Sequence, residues 1–226
     1  MPKRAPLTWL ENRYLQRYIH GRGTEIGALW KRFPIPGGVR VWYVDRLDGA
    51  ALDRHYPELS GRILASDVLA DAAELPLAPS SLDFVIASHV LEHLPYPLRA
   101  LRSWYEALAP GGALLLKVPD KRYTFDAKRQ RTPLDHLLHE TDDHREHYAD
   151  WVANVGNQSP DSEGFNEAVD DLMRRNYSIH FHVWIDEDIR EIVEFTRKEW
   201  GLDWEPAVFW GARRWRKETT AVLVRA

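Results

Sequence analysis

Short apolar runs and stretches with helical spacing follow one another through the first 120 residues. The apolar runs cover 24–27, 41–45, 62–67, 83–88 and 113–118. Apolar side chains recur at helical spacing over 7–18, 47–56 and 97–108. Strands that are apolar throughout are buried on both faces, as in a parallel sheet covered by helices. The repeated alternation of strand and helix therefore predicts a Rossmann-like, doubly wound α/β sheet.

The pattern changes after residue 120. Residues 120–180 are polar, are rich in His, Asp, Glu and Arg, and contain no convincing buried strand. Regular spacing returns with a helix that Asp186 caps and Gly201 ends. Two strand-like runs close the chain at 204–210 and 219–224, and no helix separates them, which predicts a terminal antiparallel hairpin.

These patterns predict how the chain is divided. Residues 1–120 and 184–226 form the Rossmann-like domain, which we call the sheet domain. Residues 121–183 form a substrate-capping segment, which we call the insert, between strand five and the last helix. A chain of 226 residues can bury one sizeable core and carry such an insertion.

Composition narrows the class of partner. The net charge of −4 disfavours nucleic acid, and the absence of cysteine excludes disulfides, thiolate zinc sites and thiol nucleophiles. No run approaches about 18 apolar residues, which predicts that no segment spans a membrane. The basic start at 1–6 is not followed by the apolar core of a secretory signal. We therefore expect a cytoplasmic protein with a small-molecule substrate; the oligomeric state is not predicted.

Acidic residues stand where the first two predicted strands end. Glu25 belongs to the first strand and Asp45 closes the second, twenty residues later. An acid at the end of strand two suits hydrogen bonds to ribose hydroxyls of either NAD or S-adenosylmethionine. A pyrophosphate also needs a G-x-G-x-x-G loop, and here Gly27 is followed by 28–31, Ala-Leu-Trp-Lys. The absence of the second and third glycines therefore favours S-adenosylmethionine, and two acids so placed on consecutive strands argue against ordinary solvated loop residues.

Several segments in sequence order resemble class I S-adenosylmethionine-dependent methyltransferases, above all the small-molecule subgroup that includes ubiquinone-type O-methyltransferases. They are TEIG at 24–27, VD at 44–45, DAAELP at 71–76, LDFVI at 82–86, VLEHL at 90–94 and LAPGG at 108–112. The resemblance covers roughly residues 20–120, and the predicted hairpin agrees with strands six and seven of that family. This sequence differs from the family in having Ala28 and Leu29 where the family usually has glycines.

The resemblance implies the cofactor and its site. It implies that Glu25 and Gly27 lie by the methionine part of S-adenosylmethionine, that Asp45 binds the ribose, and that Asp71 and Ala72 contact the adenine. Residues beside these strand ends complete the predicted cofactor-binding set: Ala28, Arg46 and Ser88.

A histidine motif follows strand four. His89, Glu92 and His93 have the spacing H-x-x-E-H, which puts all three on one face of a helix. Inverted zinc metalloproteases share this spacing, but here it directly follows a buried parallel strand, so we reject a protease. In ubiquinone-type O-methyltransferases the matching stretch holds a divalent ion through Glu side chains and a Glu-His pair. The alternative is a Glu-His pair at the start of a helix without any metal.

A second group of histidines lies where the insert returns to the sheet domain. His180 and His182 share one face of an extended chain and suit metal binding or acid–base chemistry. We predict that His89, Glu92, His93, His180 and His182 converge on one pocket as ligands of a divalent ion. The predicted catalytic residues are His89, His93 and His182. For the upstream run 136–147, a solvated and charged helix face is the favoured interpretation.

The leading functional prediction is methyl transfer from S-adenosylmethionine to an oxygen or nitrogen of a small polar metabolite or sugar, with or without a metal ion. One alternative is an enzyme of the same fold that binds S-adenosylmethionine and catalyses a metal-dependent reaction other than methylation. Another is a binding module without catalytic activity.

Overall fold

Seven strands form one sheet in the computed structural model, which describes residues 7–226 and leaves Met1–Pro6 outside its described part. The strands are β1 (Arg22–Ile26), β2 (Arg40–Asp45), β3 (Val68–Leu69), β4 (Leu82–Ser88), β5 (Leu108–Pro119), β6 (Trp204–Trp210) and β7 (Glu218–Arg225). Their order is β3-β2-β1-β4-β5-β7-β6. The α/β fold expected from the sequence is confirmed.

Strand directions follow the predicted pattern. β1 to β5 pair in parallel, so their carboxyl ends share one edge of the sheet. β7 runs antiparallel to both β5 and β6, and the predicted terminal hairpin is confirmed. In such a sheet the chain order changes direction beside β1 and β4, which is where ligands bind in open α/β folds. Here β1 lies between β2 and β4.

Helices cover the sheet or build the insert. They are α1 (Leu7–Leu15), α2 (Gly49–His55), α3 (Pro97–Ala107), α4 (Leu134–Leu138), α5 (Arg145–Asn154), α6 (Phe165–Arg174) and α7 (Asp186–Trp200). α3 packs on the sheet through a buried stripe that includes Leu98, Leu101 and Trp104, because these side chains recur every three residues. Asp186, predicted to be the N-cap of α7, is its first helical residue, and the N-cap is Ile185. Gly201, with φ +64°, caps the C-terminus as predicted.

Two local predictions need correction. The third strand was expected over 62–67, but it is the pair Val68–Leu69, which aligns with Val44 and Asp45 of β2. Pairing with β2 sets this register, and apolar spacing alone does not reveal it. The H-x-x-E-H motif was expected on one helical face, but only Leu91–His93 are helical, in a single 3₁₀ turn, and His89 precedes them at φ +57°.

The two ends of the insert lie side by side. The amide of Lys121 donates to the carbonyl of Trp184, and Asp120 and Trp184 form an isolated parallel β-bridge. Between these ends, α5 and α6 pack around a separate core of six buried side chains: Tyr148, Val152, Phe165, Val169, Ile179 and Phe181. The insert therefore has apolar packing of its own, while its assignment as a substrate cap stays a prediction.

Within residues 7–226, no helix is both long enough and apolar enough to cross a bilayer.

Candidate functional site

A cavity of about 450 Å³ opens where the carboxyl ends of the parallel strands meet the insert. Gly27 after β1, Asp45 at the end of β2 and His89 after β4 lie on its wall. Asp142, His144 and Ser178 of the insert line the same space. The cavity is thus shared by the strand ends and the insert.

Five of the predicted cofactor-binding residues line this cavity: Gly27, Asp45, Arg46, Asp71 and Ala72. Gly27 has φ +62°, and a Cβ there would come within 2.9 Å of a Val90 methyl group, so the turn requires glycine. Burial raises the pKa of Asp45. Asp71 fixes the next turn, because its carboxylate accepts a hydrogen bond from the amide of Ala73.

Glu25, Ala28 and Ser88 were predicted to bind the cofactor but do not line the cavity. Strand geometry explains two of them. Ile26 lines the cavity, so Glu25 beside it in β1 points to the opposite face of the sheet, as successive strand residues do. Ser88 likewise shares a face with Phe84 and Ile86 of β4. After Gly27 the chain turns, and Leu29, not Ala28, reaches the wall.

Glu25 occupies an unusual environment. Its Oε1 accepts a hydrogen bond of 2.8 Å from the amide of Phe33, and its side chain is buried. Oε2 is also buried and has no hydrogen-bond partner in the part of the chain that the structure describes. Burial raises the pKa of Glu25 to about 7, against the smaller opposing effects of Phe33 and Arg32.

His89 is held as a cation. Its Nε2 donates to Glu218 Oε2 at 2.8 Å, and its Nδ1 lies 3.4 Å from Glu92 Oε1. Burial lowers the pKa of His89, but the hydrogen bonds with Glu218 and Glu92 outweigh it and raise the pKa to about 10. A protonated imidazole has no lone pair to offer, so His89 fits neither a general base nor a metal ligand.

Glu92, His93 and His180 form one compact group, whose candidate ligand atoms all lie within 4.8 Å of one another. His93 Nδ1 donates to the carbonyl of Ile179, and His180 Nδ1 donates to Asp126, each at 2.8 Å. With Nδ1 as the donor, the neutral tautomer of either ring has its lone pair on Nε2. Burial lowers the pKa of His93 to about 4, so this imidazole is neutral.

His182 belongs to a different group, so the prediction that all five residues share one ion is wrong. It lies with His136, Glu140 and His147, whose candidate ligand atoms come within 4.8 Å of one another. His182 is buried, and burial lowers its pKa to about 3. Chain geometry explains the division: His180 and His182 flank Phe181, whose amide donates to the carbonyl of Glu92, and each ring packs against different neighbours.

The interpretation of 136–147 as a solvated face holds for His139, Asp143 and Glu146 and is wrong for Glu140 and His147. The side chain of His139 is 75% exposed, whereas those of Glu140 and His147 are 4% and 10% exposed. Sequence reasoning also missed three cavity residues: Tyr96, Asp142 and His144. The signal available was the concentration of six histidines between 136 and 182 in a chain with ten.

The fold and this cavity together are those of the open α/β proteins that bind ligands at the carboxyl ends of their parallel strands. Comparison with known proteins specifies the family. Residues 23–116 match the family model described as a methyltransferase domain. In sequence alone, none of the curated proteins matches this chain.

Solved structures agree on the fold. A SAM-dependent methyltransferase from Aquifex aeolicus superposes with a TM-score of 0.51 at 9% identity, covering 95% of this chain and 88% of that one. One from Methanosarcina mazei gives 0.50 at 15% identity, covering 93% and 94%. A protein described as a putative Zn-dependent alcohol dehydrogenase from Rhodobacter sphaeroides gives 0.58 at 16% identity, covering 96% and 89%. At such identities each likeness shows the fold alone.

The matched domain and the sheet order agree with the resemblance found in the sequence. Residues 23–116 therefore carry a methyltransferase domain, and the solved structures show that the whole chain has the corresponding fold.

Proposed function

We propose that the chain transfers the methyl group of S-adenosylmethionine to an oxygen or nitrogen of a small polar metabolite or sugar. One observation carries the proposal. One cavity of about 450 Å³ is lined on one side by Asp45, the predicted ribose ligand, and Asp71, in the turn predicted to contact adenine. Its other side is a polar wall formed by Tyr96, Asp142 and His144. The volume is that of a small-molecule site, and the two walls differ in character.

The first wall fits the cofactor. The carboxylate of Asp45 can accept hydrogen bonds from both ribose hydroxyls, Gly27 leaves the backbone open to the methionine part, and Ala72 lies beside the adenine position. When bound, S-adenosylmethionine supplies a methyl group on a positively charged sulfur. The task left to the protein is to orient an acceptor for in-line attack and to take up its proton where needed.

The second wall fits a polar acceptor. Tyr96 donates a short hydrogen bond to Asp142, which fixes both groups on the cavity wall. The rings of Tyr148 and Phe181 line the same space and give an apolar face of the kind that sugars and heterocycles stack on. Ser178 adds a hydroxyl beside His93. An acceptor held here contacts both sheet domain and insert, which is the role expected of a cap.

Of the three predicted catalytic histidines, His93 fits the role best. It lines the cavity, is neutral, and has its orientation fixed by Ile179. His89 lines the cavity as a cation, which suits the binding or polarisation of an oxygen better than proton removal. His182 does not line the cavity.

Glu92, His93 and His180 also fit a divalent ion, and we propose metal assistance at this group. Both carboxylate oxygens of Glu92 are buried; Oε1 faces His89 Nδ1 at 3.4 Å, and Oε2 has no hydrogen-bond partner among residues 7–226. His93 and His180 donate their second ring N–H groups to a carbonyl and a carboxylate, as metal-ligating histidines do. A bound ion would act as a Lewis acid toward an acceptor oxygen. Two imidazoles and one carboxylate favour Zn, Fe, Mn or Ni over Mg.

The test is methyl transfer from labelled S-adenosylmethionine to a panel of sugars, amines and phenols. It uses the full chain after chelator treatment, with and without added Mn²⁺, Zn²⁺ or Mg²⁺. We expect a methylated product with equimolar S-adenosylhomocysteine. His93→Ala should lower turnover about 100-fold or more, whether the ring acts as base or ligand, while His139→Ala, a control on an exposed ring, should not.

Three results would distinguish metal-assisted methyl transfer from its alternatives. Activity that survives chelation unchanged would remove the metal and leave His93 as a base. Binding of S-adenosylmethionine without transfer to any oxygen or nitrogen acceptor would overturn the proposal. Consumption of S-adenosylmethionine to other products would favour the non-methylating alternative. The cytoplasmic location and the absence of a nucleic-acid partner stay predictions.

A further inference from the structure

Four side chains of the insert converge beside the active-site cavity without being part of its wall. His136 lies in α4, Glu140 in the turn that follows, and His147 in α5. His182 comes from the segment that returns to the sheet domain, 35 residues or more from the others. Such a grouping of three imidazoles and one carboxylate is assembled only by the tertiary fold.

The distances within the group are those of a coordination shell. His136 Nε2 lies 2.8 Å from Glu140 Oε2, and His147 Nε2 lies 3.1 Å from Glu140 Oε1. The Nε2 atoms of His136 and His147 are 3.4 Å apart. Two nitrogens bound to one tetrahedral zinc at about 2.0–2.1 Å are themselves about 3.4 Å apart. His182 Nε2 lies 4.0 Å from Glu140 Oε2 and donates to the carbonyl of Pro95 at 3.1 Å, so binding an ion there would replace that hydrogen bond.

Imidazoles surround the carboxylate of Glu140. Its side chain is only 4% exposed, and within the described residues no Lys or Arg nitrogen lies within 4.0 Å of it. Its neighbours at that distance are imidazoles: His136, His144, His147 and His182. A buried carboxylate without a paired cation is costly, and a divalent ion held with the imidazoles would remove that cost.

We propose that His136, Glu140, His147 and His182 bind one divalent transition-metal ion, with zinc as the best match. Three imidazoles and one carboxylate suit Zn²⁺ and disfavour Mg²⁺ and Ca²⁺, which take oxygen ligands. Four protein ligands fill a tetrahedral shell, as in structural zinc sites. The ion ties α4 and α5 to the returning segment, and His144, which lies 3.3 Å from Glu140, connects it to the wall of the active-site cavity.

The fold provides an entry route. Glu140 also lines a second cavity of about 490 Å³, bounded by α3, Leu137 and Leu138 of α4, and Trp200. The side chain of His136 is 38% exposed to solvent, so the group has an edge open to water that is separate from the wall of the cofactor cavity.

The test is zinc binding to full-length protein that carries Glu92→Gln, a change that removes the carboxylate of the other candidate metal group. Metal is stripped with chelator, and Zn²⁺ is titrated against a chromophoric chelator. We expect one bound equivalent. His136→Ala should weaken it at least tenfold, since it removes one of four ligands. His139→Ala is the matched control: its ring, 75% exposed, lies three residues further along, and zinc binding should not change.

Two readouts accompany the titration. Co²⁺ in place of zinc should give the intense visible absorption of a tetrahedral site, and His136→Ala should abolish it. A 100-fold excess of free Zn²⁺ over its Kd should raise Tm by about 5 °C or more, and His136→Ala should remove that rise. His136 is partly exposed, so the variant is expected to fold, and circular dichroism checks this.

Equal zinc affinity in the Glu92→Gln protein with and without His136→Ala would overturn the proposal, as would the absence of a bound equivalent. Neither outcome bears on methyl transfer, because none of the four residues lines the cofactor cavity.

Discussion

The sheet domain and the insert are stabilised in different ways. The sheet domain buries long apolar strands such as 82–88 and 113–118 in two large clusters, one on each face of the sheet, and α3 and α7 pack on one of these faces. The insert buries a core of six side chains around α5 and α6 and adds buried polar contacts, among them Arg129 with Asp126. Binding residues at strand ends thus rest on a rigid support, whereas those of the insert depend on a small core and on specific polar pairs.

The largest expected effect compares one phenylalanine in each core. Phe84 in β4 and Phe165 in α6 are both buried, and Phe→Ala in a core costs about 3–5 kcal/mol. Phe84→Ala should lower the global free energy of unfolding by that amount in denaturant titrations. Phe165→Ala should instead speed hydrogen exchange in α5 and α6 while leaving slow amides of β4 and β5 protected, because the insert has a separate core. Equal loss of protection in both regions would show that the two unfold as one unit.

The second effect tests a carboxyl group that the sheet buries. In the folded protein Glu25 has a pKa of about 7, raised from about 4.5 by burial. Between these values the unfolded chain loses the proton while the folded one keeps it, so the contribution of Glu25 to the free energy of unfolding should fall as pH rises from about 4.5 to 7. That contribution should decrease by about 3 kcal/mol in total and stay constant above about pH 7. The difference in free energy of unfolding between the protein and Glu25→Gln isolates it, and denaturant titrations without cofactor between pH 4.5 and 8 can measure that difference.

The third effect tests the assignment of cofactor binding to the sheet domain. Asp45→Ala should weaken S-adenosylhomocysteine binding by about 1.5–3 kcal/mol, roughly tenfold or more, through the loss of charge-assisted hydrogen bonds. Isothermal titration calorimetry measures it. Asp53→Ala, an acid in α2 that does not line the cavity, is the control and should bind normally. Unchanged affinity in folded Asp45→Ala would refute the ribose assignment.

The smallest effect tests whether surface ion pairs hold the insert. Arg145 in α5 pairs with Asp170 in α6, and their side chains are 42% and 57% exposed. Water screens such pairs, so Arg145→Ala should cost less than about 1 kcal/mol, well below the cost of Phe165→Ala. Hydrogen exchange in α6 gives the measurement, and a loss as large as that of Phe165→Ala would show that polar contacts dominate the insert.

Prediction from sequence succeeded where the pattern is local. Strands β4, β6 and β7, helix α3 and the terminal hairpin follow from apolar runs, a proline at 97 and a glycine at 201. It failed where register or three-dimensional packing decides. The predicted third strand was shifted by several residues, and Glu25 and Ser88 end strands at the site but face away from it.

The histidines show the same limit. The spacing of 89–93 suggested one helical face, but His89 turned to Glu218, 129 residues away, and became a cation. His180 and His182 were expected to act together, yet one packs with Glu92 and His93 and the other with His136, Glu140 and His147. Residue type identified them as reactive groups, while their partners come from distant parts of the chain.

The sequence by itself determined the class of fold, the methyltransferase domain over 23–116 and the strand ends that line the cavity, because these depend on periodicity and on short motifs. Tertiary structure decided which side chains reach the cavity, which imidazoles are charged and which form metal-like groups. Charge state and coordination depend on burial and on neighbours within a few ångströms, and contacts between residues far apart in the chain bring those neighbours together.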